Sequence, residues 1–424
     1  MEEEAMQTIK SLGLVLTLIL CGCGTGGVGP TTPVEQKPKT KETPVNIEPK
    51  IADAHWEFGW QLLNRLDDSE KNNLFMSPLS ASLALAMVLN GAHGDTYKQI
   101  ATTLRYNHLP IEPINRQSAQ LLQILRTPDP KAKVEIANGL WVAEGFPIEA
   151  EFVRRLQQFY GATAENLDFL HQPEESAKRI NAWVKEQTHD LIEKLFEEDA
   201  FNNMDTVAVL VNTLYFKGKW QKPFAKEATH EQPFHREDGT TKPVPMMMAS
   251  GNYPYYKGEG FQAVALPYGE GNLQFYLLLP DEGRTVADLR KRLNAERWKQ
   301  MVAGMKPTEG EVGLPRFRIE SAYQLKEALM KMGMRNPFTP GEADFSGMNR
   351  EHGRKIYINS VIQKAVVQVD EEGTEAAAAT GVEMRVTAVP TNAFSVVANR
   401  PFLFAIVHTP TGTVLFAGIV REPY

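Results

Sequence analysis

The run from Glu371 to Thr387, EEGTEAAAATGVEMRVT, admits few folded roles. Taken at the two-residue period of a strand, one face holds Thr374, Ala376, Ala378, Thr380, Val382, Met384 and Val386. The other holds Glu375, Ala377, Ala379, Gly381, Glu383 and Arg385. The first face can be buried without stranding a charge; the second cannot. Ala376 to Ala379, set between Gly373 and Gly381, bring little apolar area and little β preference, so nothing in the first half of the run holds it anywhere. Such a segment is able to lie outside a sheet or to join one. Read in isolation it is equally an alanine linker or a turn of helix. It directly follows Ile356 to Asp370, however, a β-branched run that reads as a buried strand. A strand running into its own extension needs a hinge, and Gly373 supplies backbone angles closed to other residues.

Other segments point to a large core. Ser77-Pro78 is a helix start, since a serine side chain caps free backbone N–H groups and proline at the first helical position gives up no internal hydrogen bond. The residues behind it, to Asn90, are apolar nearly all round and predict a buried helix. In Ile51 to Leu66, Ala54, Phe58, Leu62 and Leu66 share one helical face. Val207 to Val211 lacks polar alternation and predicts a strand covered on both sides. Phe402 to Val407 and Thr413 to Val420 predict two more, joined by the turn signal TPTG. Lys194 to Asp199 predicts a solvated helix face.

Three of these stretches together with the alanine run carry a resemblance. Asn212 to Phe224, NTLYFKGKWQKPF, Leu74 to Asn90, LFMSPLSASLALAMVLN, and Asn399 to Pro423, NRPFLFAIVHTPTGTVLFAGIVREP, resemble in order the motifs of the serpins. These are inhibitors of serine and cysteine proteases that act by inserting a cleaved loop into a sheet. The resemblance runs from about residue 51 to the C-terminus. It implies an α+β fold with a large mixed central sheet, two further sheets, about eight or nine helices and an exposed reactive loop at about 371–398. The implied partner is a target serine protease held in a covalent complex, and the inhibitor itself is expected to be a monomer without cofactor or metal.

The resemblance also assigns residues. The hinge is Glu371, Gly373, Thr374, Glu375, Ala376, Ala377, Ala378 and Ala379. The family's scissile bond lies sixteen residues after the hinge glutamate; counted from Glu371, that is Thr387–Ala388, which suits an elastase-like or subtilisin-like enzyme. The stretch before Asn399-Arg400-Pro401-Phe402 is longer than in common family members, which leaves Arg385–Val386, and a trypsin-like target, as the alternative. Ser77, Ser80 and Asn212 match the region beneath the central strands that opens the sheet. There the family often has histidine where this chain has Gln363, whose amide both donates and accepts but does not titrate. A non-inhibitory carrier or chaperone of the same fold is the other reading, against which the small hinge residues argue.

The N-terminal segment differs in kind. Leu12 to Leu20 is the length of a signal-peptide core and too short to span a bilayer. Leu20-Cys21-Gly22-Cys23 resembles a bacterial lipobox in which Cys23 takes the lipid; plain signal cleavage is the alternative. The expected organisation is therefore a signal in 1–22, a disordered Gly-, Pro-, Thr- and Lys-rich tether in 23–50, and one domain in 51–424, giving an exported, surface-held or secreted protein. Both cysteines precede residue 51, so the domain has no disulfide or thiolate site. A net charge of −7 without clustered basic residues in sequence argues against nucleic acid as partner. GxSxG, HExxH and phosphate-loop motifs are absent, and GCGTGG at Gly22 to Gly27 sits outside any βαβ unit. The nine histidines are scattered, and His230 and His235 are the nearest approach to a metal pair. Met246 to Met248 read as sheet packing.

Overall fold

The apolar and β-branched runs become strands and the amphipathic runs helices in a computed structural model that describes residues 47–66, 72–190, 192–202, 205–374 and 393–423. Nine α-helices occur among them: α1 (Pro49–Leu66), α2 (Pro78–Leu89), α3 (Gly94–Thr103), α4 (Ile111–Leu125), α5 (Ala150–Tyr160), α6 (Pro173–Gln187), α7 (Val286–Arg292), α8 (Ala295–Gly304) and α9 (Lys326–Lys331). The strands are β1 (Leu74–Met76), β2 (Ala132–Ala143), β3 (Thr163–Leu167), β4 (Ala208–Lys219), β5 (Thr229–His235), β6 (Thr241–Gly258), β7 (Phe261–Tyr268) and β8 (Leu273–Pro280). They continue with β9 (Lys306–Pro315), β10 (Phe317–Gln324), β11 (Ser360–Val369), β12 (Gly373–Thr374), β13 (Phe394–Val397), β14 (Phe402–His408) and β15 (Thr413–Val420).

One sheet has the order β10-β11-β12-β4-β2-β3 and is mixed, because β11 pairs with β4 and β2 with β3 in parallel. The other strands form a second array, β1-β15-β14-β8-β7-β6-β9-β13, with β5 beside β6. β6 is long enough to serve both halves of this array: Tyr255–Gly258 pair with β7 and Met246–Tyr255 with β9. The two further sheets expected from the resemblance are thus continuous along β6. Met246 and Met247 are buried in it, as sheet packing requires.

The core follows from the strand pattern. Ala208 and Leu210 of β4 join the main cluster, whereas Val209 and Val211 join a second one with Trp141, Ile180, Trp183 and Phe201. The central strand is therefore covered on both faces, as its unbroken apolar run predicts. α2 is buried along its whole length, started by Ser77 Oγ accepting from the Ser80 N–H with Pro78 at the first turn. α1 buries Ala54, Phe58 and Leu62 on the expected face.

Two local expectations are corrected. β11 begins at Ser360 rather than Ile356, and its burial alternates: Val361, Gln363, Ala365, Val367 and Val369 point inward while Ile362 and Val366 are half-exposed. Lys194 to Asp199 is solvated but not helical. The Asn181 side chain accepts from the backbone N–H groups of Leu195 and Phe196 and donates to the Phe196 carbonyl, competing with helical hydrogen bonding.

Candidate functional site

β4 and β11 pair in parallel from Ser360–Val209 to Ala365–Leu214 and then separate. Between their ends sits β12, antiparallel to both: Thr374 lies opposite Val369 on one side and Gly218 on the other. Thr374 is only 1% exposed, and its hydroxyl is 2.7 Å from that of Tyr268. The alternation assigned Thr374 to the face that is buried on joining a sheet; the structure already has it there. Gly373 makes this possible. Its φ of +153° disfavours side chains, and a Cβ would lie 2.0 Å from the Gly218 carbonyl oxygen.

The turn before β12 is held from several directions. Asp370 accepts from the N–H groups of Glu372 and Gly373, and its own N–H donates to the Gly373 carbonyl. Trp220 donates its ring N–H to the Asp370 carbonyl at 2.8 Å and stacks on Tyr268 with ring centres 4.4 Å apart. The buried Glu371 carboxylate takes hydrogen bonds from Arg316 Nε at 2.8 Å, from Arg316 Nη2, and from Thr229 Oγ1 at 2.6 Å. Burial alone would raise its pKa, but these bonds outweigh burial and hold it below the usual carboxylate range. Burial pushes the neighbouring Asp370 carboxyl up.

Below the slot, the residues matched to the sheet-opening region come together. Gln363 is 1% exposed; its amide oxygen accepts from Ser77 N–H at 2.9 Å, while its NH₂ donates to the Ser77 carbonyl at 2.9 Å and to Asn212 Oδ1 at 3.0 Å. Asn212 donates onward to Asn138 Oδ1 at 2.7 Å, and Ser77 Oγ donates to the Leu415 carbonyl. Ser80 contributes its backbone N–H to Ser77; its hydroxyl has no hydrogen-bond partner among the described residues.

Arg316, Thr229, Tyr268, Trp220 and Asn138 were not singled out in the sequence. Trp220 lies within the matched stretch Asn212 to Phe224, but Arg316, between β9 and β10, and Tyr268 of β7 reach the hinge from distant parts of the chain and leave no local signal. Glu375, Ala376, Ala377, Ala378, Ala379, both proposed scissile bonds at Thr387–Ala388 and Arg385–Val386, and Cys23 lie outside the described residues. His230 and His235 stand at the two ends of the region of β5 paired with Met246 and Thr241, on opposite faces. Among the described residues no group of three or more His, Cys, Asp or Glu is placed to hold a metal, and no helix is long and apolar enough to cross a membrane.

Together the fold and the hinge define an α+β protein whose mixed sheet is parted at one end by the first residues of a further strand. Residues 53–423 match the family model described as serpin (serine protease inhibitor). The chain belongs to the serpins, a family of protease inhibitors rather than enzymes. Leukocyte elastase inhibitor of Bos taurus is 37% identical over 384 residues, covering 88% of this chain and 100% of that protein. Among solved structures, the native state of tengpin, a thermophilic serpin, superposes with a TM-score of 0.82 at 30% identity, covering 92% of this chain and 97% of tengpin. Human thyroxine-binding globulin complexed with thyroxine gives 0.80 at 26%, covering 88% and 98%.

Proposed function

We propose that this protein is a suicide-substrate inhibitor of serine proteases. The observation that carries this is β12, seated between β4 and β11 in a register that residues 375 onward would continue on insertion. Extended in that register, an inserted Ala376 would fall between Val367 and Phe216, and Ala378 between Ala365 and Leu214. Thr380 would fall between Gln363 and Asn212, the buried polar pair, and Val382 between the apolar Val361 and Leu210. Small, polar and apolar residues of the loop would thus meet matching positions of the sheet, which favours insertion over chance alternation.

The chemistry is the target's own. Its nucleophile attacks the Thr387 carbonyl, the amine of Ala388 departs, and Thr387 is left as an acyl ester. Insertion of the freed strand before water attacks carries the enzyme along; about fourteen residues at ~3.3 Å each move it roughly 50 Å. The parallel pairs between β11 and β4 give way to two antiparallel ladders, so backbone hydrogen bonds are gained on both sides of the new strand. Thr387 suits an elastase-like or subtilisin-like enzyme. A bond at Arg385 would shorten the inserted strand by two residues and suit a trypsin-like one. The name of the bovine relative, an elastase inhibitor, supports the former.

For residues 1–50 we keep the export signal, lipid on Cys23 and flexible tether as the reading of placement, with the body acting as a monomer outside the cytoplasm. A carrier role is the second reading, favoured by the likeness to thyroxine-binding globulin. It predicts no covalent adduct.

Mixing the purified protein with subtilisin-like, elastase-like and trypsin-like enzymes separates these. The expected result is a denaturant-stable adduct and a released peptide beginning at Ala388. A peptide beginning at Val386 moves specificity to Arg385. Cleavage by all three enzymes without an adduct would refute the inhibitor reading.

A further inference from the structure

The segment that follows β4 is tied by its own backbone. The Trp220 N–H donates to the Glu372 carbonyl at 2.9 Å, the Gln221 N–H to the Pro267 carbonyl at 2.8 Å and the Phe224 N–H to the Glu371 carbonyl at 2.9 Å. It therefore bridges from β7 to the turn before β12. Between this segment and β6, β7 and β8 lies a cavity of about 310 Å³, at the small end of the range for ligand pockets. Trp220, Phe224, Tyr253 and Leu266, all buried, give it apolar walls.

The polar side chains that line the cavity are unused. Tyr253 is only 7% exposed, yet its hydroxyl has no hydrogen-bond partner among the described residues. Burial pushes its pKa up, so the group stays an O–H donor at neutral pH. A donor placed in this way is met by water or by an occupant of the cavity. The side-chain amides of Asn252 and Gln274 have no partner among the described residues either. Lys222, exposed at the rim, is the charged member of the lining and makes no ion pair among the described residues.

We propose that this cavity is a binding site for a small flat aromatic carboxylate, and that its occupancy is linked to the seating of β12. The rings and the volume set the flatness and size of the ligand. Lys222, with no acidic residue in the lining, sets its sign, and the Tyr253 hydroxyl and the two amides meet its oxygens. The link runs through two residues. Trp220 and Phe224 are walls of the cavity and also hold the carbonyls of Glu372 and Glu371. Trp220 further donates its ring N–H to the Asp370 carbonyl and stacks on Tyr268, whose hydroxyl meets that of Thr374. A ligand packed on these two side chains binds best while they hold the turn, so it favours the seated state. The site itself needs no reading of function; its consequence, a hinge biased towards strand entry, rests on the inhibitor reading.

The test titrates the whole protein with indole-3-acetate and with its uncharged counterpart, indole-3-acetamide, followed by amide NMR. For a ligand of this size a Kd of about 1 mM or tighter is expected. Lys222→Gln should weaken the carboxylate about threefold and leave the amide within about twofold. Tyr253→Phe should weaken both about threefold, and Asn252→Trp, which closes the mouth, should abolish binding. Equal melting temperatures of the free variants show that folding is unaffected. With ligand at about ten times its Kd, exchange of the Trp220 and Phe224 amides should slow about tenfold. No binding at ~10 mM overturns the proposal, as does binding that none of the three changes weakens. Binding that leaves the exchange of both amides unchanged overturns the link to β12. Each readout uses the intact protein without protease, so failure of the inhibitor reading is seen separately, as no adduct with the unaltered protein.

Discussion

Thr374 is the residue on which intact and inserted forms meet. Its methyl and hydroxyl are already inside the sheet, bonded to Tyr268, whose ring in turn carries Trp220. An arginine there would place an unpaired charge where a neutral hydroxyl now sits, a cost of several kcal/mol. The chain would avoid it by withdrawing β12, so Thr374→Arg should leave the protein folded but convert it from inhibitor to substrate. Gel analysis should show complete loop cleavage with adduct lost; undiminished adduct would contradict the proposed insertion. The alternation of the run shows which face Thr374 belongs to. That it is buried before any cleavage was not legible, because Gly218 and Tyr268, which make the place for it, lie far away in sequence.

At the scale of elements, the decisive pair is β4 and β11, parallel neighbours that must part for a strand to enter. Their direct side-chain link is Gln363 to Asn212, extended by Ser77 at the start of α2. Gln363→Leu would leave the Ser77 N–H, the Ser77 carbonyl and Asn212 Oδ1 without this partner. Each buried polar group so orphaned costs ~1–3 kcal/mol, so a loss of roughly 3 kcal/mol is expected in urea unfolding. Earlier opening of β4 from β11 should appear as faster amide exchange over Ser360–Ala365; unchanged exchange would mean the link does not hold the strands. α1, α2, β4, β14 and β15 were legible from period, caps and turn residues. β11 was less so, since its most buried face includes Gln363 while Ile362 and Val366, on the other face, pack half-buried against the second cluster. Hydropathy cannot assign faces where a polar network occupies the core side.

For the whole molecule, acid should weaken the fold through histidines that it keeps neutral. His55 is buried, and burial lowers its pKa to about 4; burial lowers that of His408 to about 4 as well. The unfolded chain takes up a proton at each site near pH 6.5 while the folded one does not, so stability falls as pH drops from about 6.5 towards 4. His55 alone accounts for about 3 kcal/mol of this. His55→Gln, which keeps a donor near Tyr106, should flatten the slope of urea stability against pH in that window; an unchanged slope would exclude His55 as its source. The Glu371 contribution has the ordinary carboxylate sign: present above its unfolded value and lost as pH falls through the depressed folded one.

The sequence by itself determined what local chemistry can encode. Period, caps and turn residues fix elements such as α1, α2, β14 and β15, and the matched stretches point to the family. The alternating run after Gly373 fixes which side chains can be buried. Only the tertiary structure decided that Gly373 and Thr374 are already seated between β4 and β11, and that Arg316 and Thr229 hold Glu371. Each of these is a juxtaposition of residues from distant parts of the chain, and the pairing and packing of the strands, not composition or period, set which of them meet.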